Sequence, residues 1–242
     1  MENQTLPQFY KKPVALSSEI HATTTITPRN GGFAFSEKGH SVVLAGVEFA
    51  AACHEFPIVF STGNNGRIIP AVLLGVQMDE NLYVDEEGEW HGSYIPAYIR
   101  RYPFINADSD DQRLIVCIDE AYDGFNGEGG QPLFENNAPS EYLKQVLALL
   151  EDYQAQMLTT EAFCQHLAQL DVLKPMDASI HLNDGRTFNI NGLLVVDEEK
   201  LLQLDKDTID QLFRSGGLAL VYAHLLSLRN LNNLMEKKVR RN

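Results

Sequence analysis

Of its 242 residues the chain spends only three on cysteine: Cys53, Cys117 and Cys164. These are too few and too scattered for a disulfide framework, and no C-x-x-C pair marks a redox or zinc site. Long apolar runs are missing as well. The longest helix-like one, Leu218 to Leu228, is interrupted by His224 and Ser227. It falls well short of the roughly 20 residues that cross a bilayer, which excludes a permease and membrane insertion. The first residues, MENQTLPQFYKKPVAL, lack a basic start followed by an apolar block. No secretory leader is therefore expected, and the cytoplasm is the expected compartment. Basic residues are scarcest where acids are densest. Between Asp79 and Glu141 there are 15 Asp/Glu and 3 Lys/Arg, so this stretch carries −12 of the net −14. Such a field repels phosphate backbones, and nucleic-acid binding is not expected. The one basic cluster, Lys237-Lys238-Val239-Arg240-Arg241, reads as a solvated tail that suits the negative end of a helix.

With 44% hydrophobic and 21% charged residues, the composition is that of a globular protein. Residues 1–40 read as extended, punctuated by Pro7, Pro13, Pro28 and Gly31-Gly32. Ser41 is placed to cap a helix carrying Val43, Leu44, Val47, Ala50 and Ala51 and ending before Pro57. Short strands follow at Ile58–Phe60, Ala71–Val76 and Leu82–Val84, with a turn at Gly63-Asn64-Asn65-Gly66. Pro96 can open a short helix from Ala97 to Tyr102, which Pro103 closes. Leu114–Ile118 is apolar on both faces, as a central strand requires, so Cys117 is expected inside. A loop spans 122–139, and Ser140 can cap a helix with Leu143, Val146, Leu147 and Leu150 on one side. A second helical stretch carries Phe163, Leu167 and Leu170. Ser179–Leu182 and Thr187–Ile190 flank Asn183-Asp184-Gly185 as a hairpin, and Gly192–Val196 adds a strand. Asp207 is expected to cap a helix that Gly216-Gly217 ends, before a last helix with Leu218, Val221, Tyr222, Leu225 and Leu228 on one stripe. The expected fold is α+β: a mostly antiparallel central sheet with helices on one side and a helical C-terminal part. One domain is expected over 1–242, with an extended segment 1–40, a strand-rich part 41–139, and a helix-rich part with a hairpin 140–242.

Candidate chemistry is sparse. Cys53-His54-Glu55 offers three ligand types in a row, but helical neighbours diverge by about 100° and cannot close on one ion, so no metal is expected. There is no G-x-S-x-G, and a helix C-terminus would disfavour a Cys53 thiolate. Gly124–Gly130 lacks Gly-Lys-Ser/Thr and sits among Asp119, Glu120, Asp123 and Glu128, which repel an anion. It reads as a loop that is flexible or ordered against a partner. Arg100 and Arg101 are two of the three bases in the acidic stretch and lie among Tyr94, Tyr98 and Tyr102. One is expected to turn inward, in a structural ion pair or as a clamp for a ligand. Trp90 is expected to pack with Tyr83 and Phe104. The tentative ligand or partner contacts are therefore Arg100, Arg101, Tyr98, Trp90 and Glu120; no catalytic residue and no cofactor are assigned.

Several strings taken together resemble one family. They are His54-Glu55-Phe56-Pro57-Ile58-Val59-Phe60, Pro70-Ala71-Val72-Leu73-Leu74-Gly75, and above all Tyr94-Ile95-Pro96-Ala97-Tyr98-Ile99-Arg100-Arg101-Tyr102-Pro103-Phe104. With Pro132-Leu133-Phe134 and Ser215-Gly216-Gly217-Leu218-Ala219-Leu220-Val221-Tyr222-Ala223-His224-Leu225, they resemble the bacterial SapC family over nearly the whole chain. That family takes its name from a surface-layer export locus and is distinct from the antimicrobial-peptide permease that shares the name. The resemblance implies no known reaction and no catalytic residue. It implies a non-enzymatic accessory or interaction protein in surface-protein export or modification, with a protein or peptide partner and a possible homo-oligomer. Its relatives' proximity to genes for flavin-dependent halogenases and cupin-like oxygenases implies the alternative, an enzyme or enzyme subunit acting on a small molecule or peptide. A stand-alone amino-acid sensor is a third expectation.

Overall fold

The computed structural model describes residues 6–27, 32–63, 65–108, 114–181 and 187–241. The sequence features expected at Pro28, Gly31, Asn64 and Asn183–Gly185 lie outside them. In chain order the first half holds β1 (Pro13–Ala15), β2 (Thr25–Ile26), β3 (Ser41–Val43), α1 (Phe49–Ala52), β4 (Ile58–Thr62), β5 (Ile68–Leu73), α2 (Ala97–Arg100), β6 (Phe104–Asp108) and β7 (Leu114–Asp119). Three two-residue strands follow: β8 (Gln131–Pro132), β9 (Phe134–Glu135) and β10 (Ala138–Pro139). The second half holds α3 (Glu141–Gln169), the hairpin β11 (Leu173–His181) and β12 (Thr187–Val196), then α4 (Glu198–Leu202), α5 (Lys206–Arg214), α6 (Gly217–Ser227) and α7 (Asn230–Arg241). A five-stranded sheet runs β11-β12-β4-β5-β3 and a three-stranded sheet runs β1-β7-β6. All of these pairings are antiparallel, as expected of the α+β class. The apolar strand β7 is central in its sheet, and Cys117 is buried there.

Two apolar clusters form. One gathers Phe49, Phe56, Ile58, Phe60, Val72, Leu74, Tyr83 and Val221 between the five-stranded sheet and α1, α3 and α6. The other gathers Tyr10, Tyr102, Phe104, Ile118 and Leu133 around the three-stranded sheet. Each fully buried Phe or Leu contributes roughly 1.5–3 kcal/mol relative to leaving it in water. The long helix α3 serves both, with Leu143 and Leu150 in the second cluster and Cys164 and Leu167 in the first. Ser140 caps it as expected, its side chain accepting from the Leu143 N–H at 3.2 Å. The two helical stretches expected here are one 29-residue helix. Neither Gly nor Pro interrupts 141–169, and Thr159 and Thr160 turn their hydroxyls back to the carbonyls of Ala155 and Gln156.

Five other expectations are corrected. Ser41 begins a strand, since Ser41–Val43 pair with Leu73–Ala71 and the Leu44 N–H reaches the Pro70 carbonyl. Cross-strand pairing of the β-branched Val42 and Val43 overrides the helical spacing, and only Phe49–Ala52 is α-helical. Leu82–Val84 is a looped segment joined to Trp90 by a single bridge at Val84. Gly192–Val196 belongs to β12, whose ladder with β11 is irregular near Gly192, at φ +76°. The cap of α5 is Asp205, two residues before Asp207, and it accepts from the N–H groups of Asp207 and Thr208. The basic C-terminal run is no solvated tail either. It ends α7, where Lys238 is buried in an ion pair with Glu80 and Lys237 lies 4.4 Å from the Tyr83 ring centre.

Candidate functional site

Tyr98, Arg100 and Arg101 stand on or just after the short helix α2, and the two arginines diverge as expected. Arg100 is exposed and donates through Nε to the Ile95 carbonyl at 2.9 Å. Arg101 turns inward, its guanidinium 4.2 Å from the Tyr98 ring centre and 4.8 Å from that of Tyr153. Among the described residues neither arginine forms the expected ion pair. Ring faces hold the inner cation instead of a carboxylate. Burial raises the Tyr98 and Tyr153 phenols above their ordinary range, against the pull of Arg101. Trp90 stacks on Tyr83 at 5.7 Å and donates to the Tyr94 carbonyl, while Phe104 sits in the other cluster. Glu120 pairs with Lys12 at 2.6 Å, which holds its carboxyl below the usual range, and lies 3.8 Å from His21. Of the five tentative contacts, Tyr98 and Arg101 touch each other; Trp90 and Glu120 make their contacts elsewhere.

Three carboxylates, none of them among the tentative contacts, explain why the Tyr94–Phe104 string is held so firmly. Buried Glu48 accepts from the Ala45 N–H, the Tyr94 hydroxyl at 2.8 Å and the Ala97 N–H at 2.7 Å. Glu55 accepts from the Ser93 N–H and hydroxyl and from the Tyr94 N–H. Buried Asp119 accepts from the N–H groups of Lys11, Lys12 and Ala121 and from the Tyr102 hydroxyl. Charge-assisted bonds of this kind orient backbone and leave little free acceptor capacity for chemistry. The available signal was an acid embedded among apolar neighbours, as in Val47-Glu48-Phe49 and Cys117-Ile118-Asp119. The loop 122–139 is likewise fastened to the chain's own N-terminal segment: β8 pairs with β2, and Leu133 is fully buried.

His224 and two of the cysteines are held in the core. His224 is buried, with Nδ1–H donating to the Ile58 carbonyl at 2.8 Å and Nε2 accepting from the Val196 N–H at 3.0 Å. Burial pushes its pKa down to about 4, so it is neutral and structural. The Cys164 thiol is pushed up to about 12 by burial, and that of Cys117 is also raised. Among the described residues no three His, Cys, Asp or Glu side chains gather to hold a metal.

A hollow with a mainly apolar surface lies elsewhere. It is a groove of about 580 Å³ between the second half of α3, the Gly46-Val47 turn and the corner where α5 meets α6. Phe163 and Leu212 line it, with Leu220 beside them and Val47, 65% exposed, at its lip. Glycines make the corner. Gly216, at φ +77°, ends α5 in the left-handed conformation that favours this residue. A Cβ on Gly217 would meet Leu212 at 3.2 Å, and one on Gly46 would meet Leu220 at 3.2 Å. The only ionisable side chain in the lining is His166; Ser215, also there, donates to the Leu212 carbonyl. Arg100 lines a separate cleft of about 190 Å³ with Tyr102 and Tyr122. A more polar hollow of about 750 Å³ adjoins Phe35, Glu37 and Asp123.

These features define an α+β protein whose two larger antiparallel sheets share one long helix. No helix among the described residues is long and apolar enough to cross a membrane. The SapC family model matches residues 16–234, and the chain belongs to that family. No curated protein and no solved structure matches it.

Proposed function

We propose that this SapC-family chain is a non-enzymatic accessory protein that binds a protein or peptide partner during bacterial surface-protein export or modification. The observation that carries this reading is the groove beside α6: about 580 Å³, with Val47, Phe163, Leu212 and Leu220 presenting apolar surface among neutral polar side chains, and His166 as its only ionisable group. Recesses of this size and lining take an apolar anchor from a partner. Ser215 and His166 share the wall, yet the Ser215 hydroxyl is engaged by Leu212, so no nucleophile is paired with a base there. The export setting rests on the family. The three cysteines are free thiols, which suits action in the reducing cytoplasm.

The test replaces Val47, at the lip, by Glu in the chromosomal copy. Because Val47 is exposed, Val47→Glu should change stability by no more than about 0.5 kcal/mol. The variant should accumulate normally yet lose its partner complex and the surface-protein phenotype. An intact complex and phenotype in Val47→Glu would refute the groove. Turnover of a small molecule by the purified chain, alone or with a halogenase or oxygenase, would replace this reading with an enzymatic one.

A further inference from the structure

We infer that Arg101, together with the hydroxyl of Tyr153, is a binding site for a carboxylate. The starting point is a charge without a counter-charge. Arg101 follows α2 and turns inward, its guanidinium 4.2 Å from the Tyr98 ring centre and 4.8 Å from that of Tyr153. Ring faces attract the cation, but they give its N–H groups no oxygen to bond. Its Nε is shut away from solvent without an acceptor, one of two such buried side-chain atoms among the described residues. The two Nη groups also bond to no described residue, and they keep contact with solvent because Arg101 is only partly buried. Buried and half-buried donors normally find an acceptor, so a guanidinium with none among the described residues calls for one. Tyr10 and Tyr98 lie close enough for the Arg101 charge to oppose the rise that burial gives their phenols. Their hydroxyls donate to the Phe104 and Gln8 carbonyls, and neither is hydrogen-bonded to the guanidinium. The Tyr153 hydroxyl bonds to no described residue, so a second free donor stands beside the cation.

Charge and shape select the ligand. The acid whose charge reaches Tyr153 is Glu48, and its oxygens are already taken by the Ala45 N–H, the Tyr94 hydroxyl and the Ala97 N–H. Arg101 therefore keeps one positive charge to offer, within a stretch of chain that carries −12. A monoanion matches that single charge, whereas a phosphate dianion would add excess negative charge to an acidic field. The planar fork of a guanidinium bonds a planar carboxylate through two parallel N–H groups, and the Tyr153 hydroxyl supplies a further donor. The site is separate from the groove beside α6. Tyr153 precedes Thr160, a residue of the groove wall, by two turns of α3, about 10.5 Å along the helix. A small carboxylic acid and an acidic side chain of a partner present this same group, and the experiment separates the two sources.

The experiment follows the arginine Nε–H signals of the full-length, nitrogen-15-labelled chain by NMR at neutral pH. The Arg101 signal is identified by its loss in Arg101→Lys; should that variant fail to fold, assignment through the backbone replaces it. The probes are sodium acetate and an end-capped peptide with one glutamate, with sodium chloride at matched ionic strength as the control. Acetate should move the Arg101 signal saturably and chloride should not. The Arg100 signal should stay in place under both, since its Nε already donates to the Ile95 carbonyl. Tyr153→Phe keeps the ring and removes the hydroxyl, so acetate should bind roughly tenfold more weakly, the worth of one hydrogen bond to a charged group. Tighter binding of the peptide than of acetate assigns the carboxylate to a partner's side chain; comparable binding assigns it to a small acid. An Arg101 signal that chloride moves as far as acetate does, equal movement of Arg100 and Arg101, or unchanged acetate affinity in Tyr153→Phe would overturn the inference.

Discussion

Acidification should weaken this protein well above the range where its carboxylates titrate, and His224 is the reason. In an unfolded chain the imidazole titrates near 6.5; in the fold, burial lowers that to about 4. The folded state therefore resists the proton that the unfolded state accepts. The stabilisation is fully present above pH 6.5 and is lost as pH falls from 6.5 toward 4. At 1.36 kcal/mol per pKa unit the whole loss is about 3 kcal/mol, of which about 2 kcal/mol falls between pH 7.5 and 5. That is a large share of the 5–15 kcal/mol typical of a domain. The structural cause is specific. His224 bridges β4 and β12 by donating to Ile58 and accepting from Val196, and protonation of Nε2 would turn a donor toward the Val196 N–H. Urea unfolding at pH 7.5, 6.5, 5.5 and 5 should show a declining midpoint for the wild type. Glutamine can both donate and accept but does not titrate, so His224→Gln should lose most of that slope while starting from lower stability. Equal slopes for the two proteins would refute the reasoning, because the remaining six histidines are common to both.

Other predictions concern how the C-terminal helices are fastened. Lys238→Met leaves Glu80 as a buried, unpaired carboxylate and should cost about 3–5 kcal/mol by urea unfolding. Adding Glu80→Gln should recover part of that loss, and a strictly additive double variant would contradict the pairing. Gly216→Ala places a side chain at φ +77° and should cost about 1–2 kcal/mol, read as a lower thermal midpoint. An unchanged midpoint would show that the corner between α5 and α6 adjusts freely.

Much of the fold was legible because local signals agreed with tertiary ones. Pro96 and Pro103 bracket α2, Ser140 caps α3, and the apolar run 114–118 becomes a central strand. Expectations failed where one pattern served two structures. The apolar spacing after Ser41 fits a helix, but Val42 and Val43 gain more by pairing with β5, and the buried Glu48 finds its donors only in a turn. Asp205 and Asp207 are both plausible caps, and geometry alone chooses between them. The basic tail looked solvated because its acidic partner, Glu80, is 158 positions away. Of the tentative site residues, the divergence of Arg100 and Arg101 followed from helical geometry. The groove was not legible, since its walls come from residues 46–47, 156–166 and 211–220, which no local spacing connects.

A photo-activatable cross-linker at Val47 tests most directly whether the groove receives a partner. Incorporated in living cells, it should yield one discrete adduct with a defined protein, and that protein, once purified, should bind the wild type and not Val47→Glu. No adduct at Val47, or the same adducts from a probe at the exposed Ile20, would contradict it.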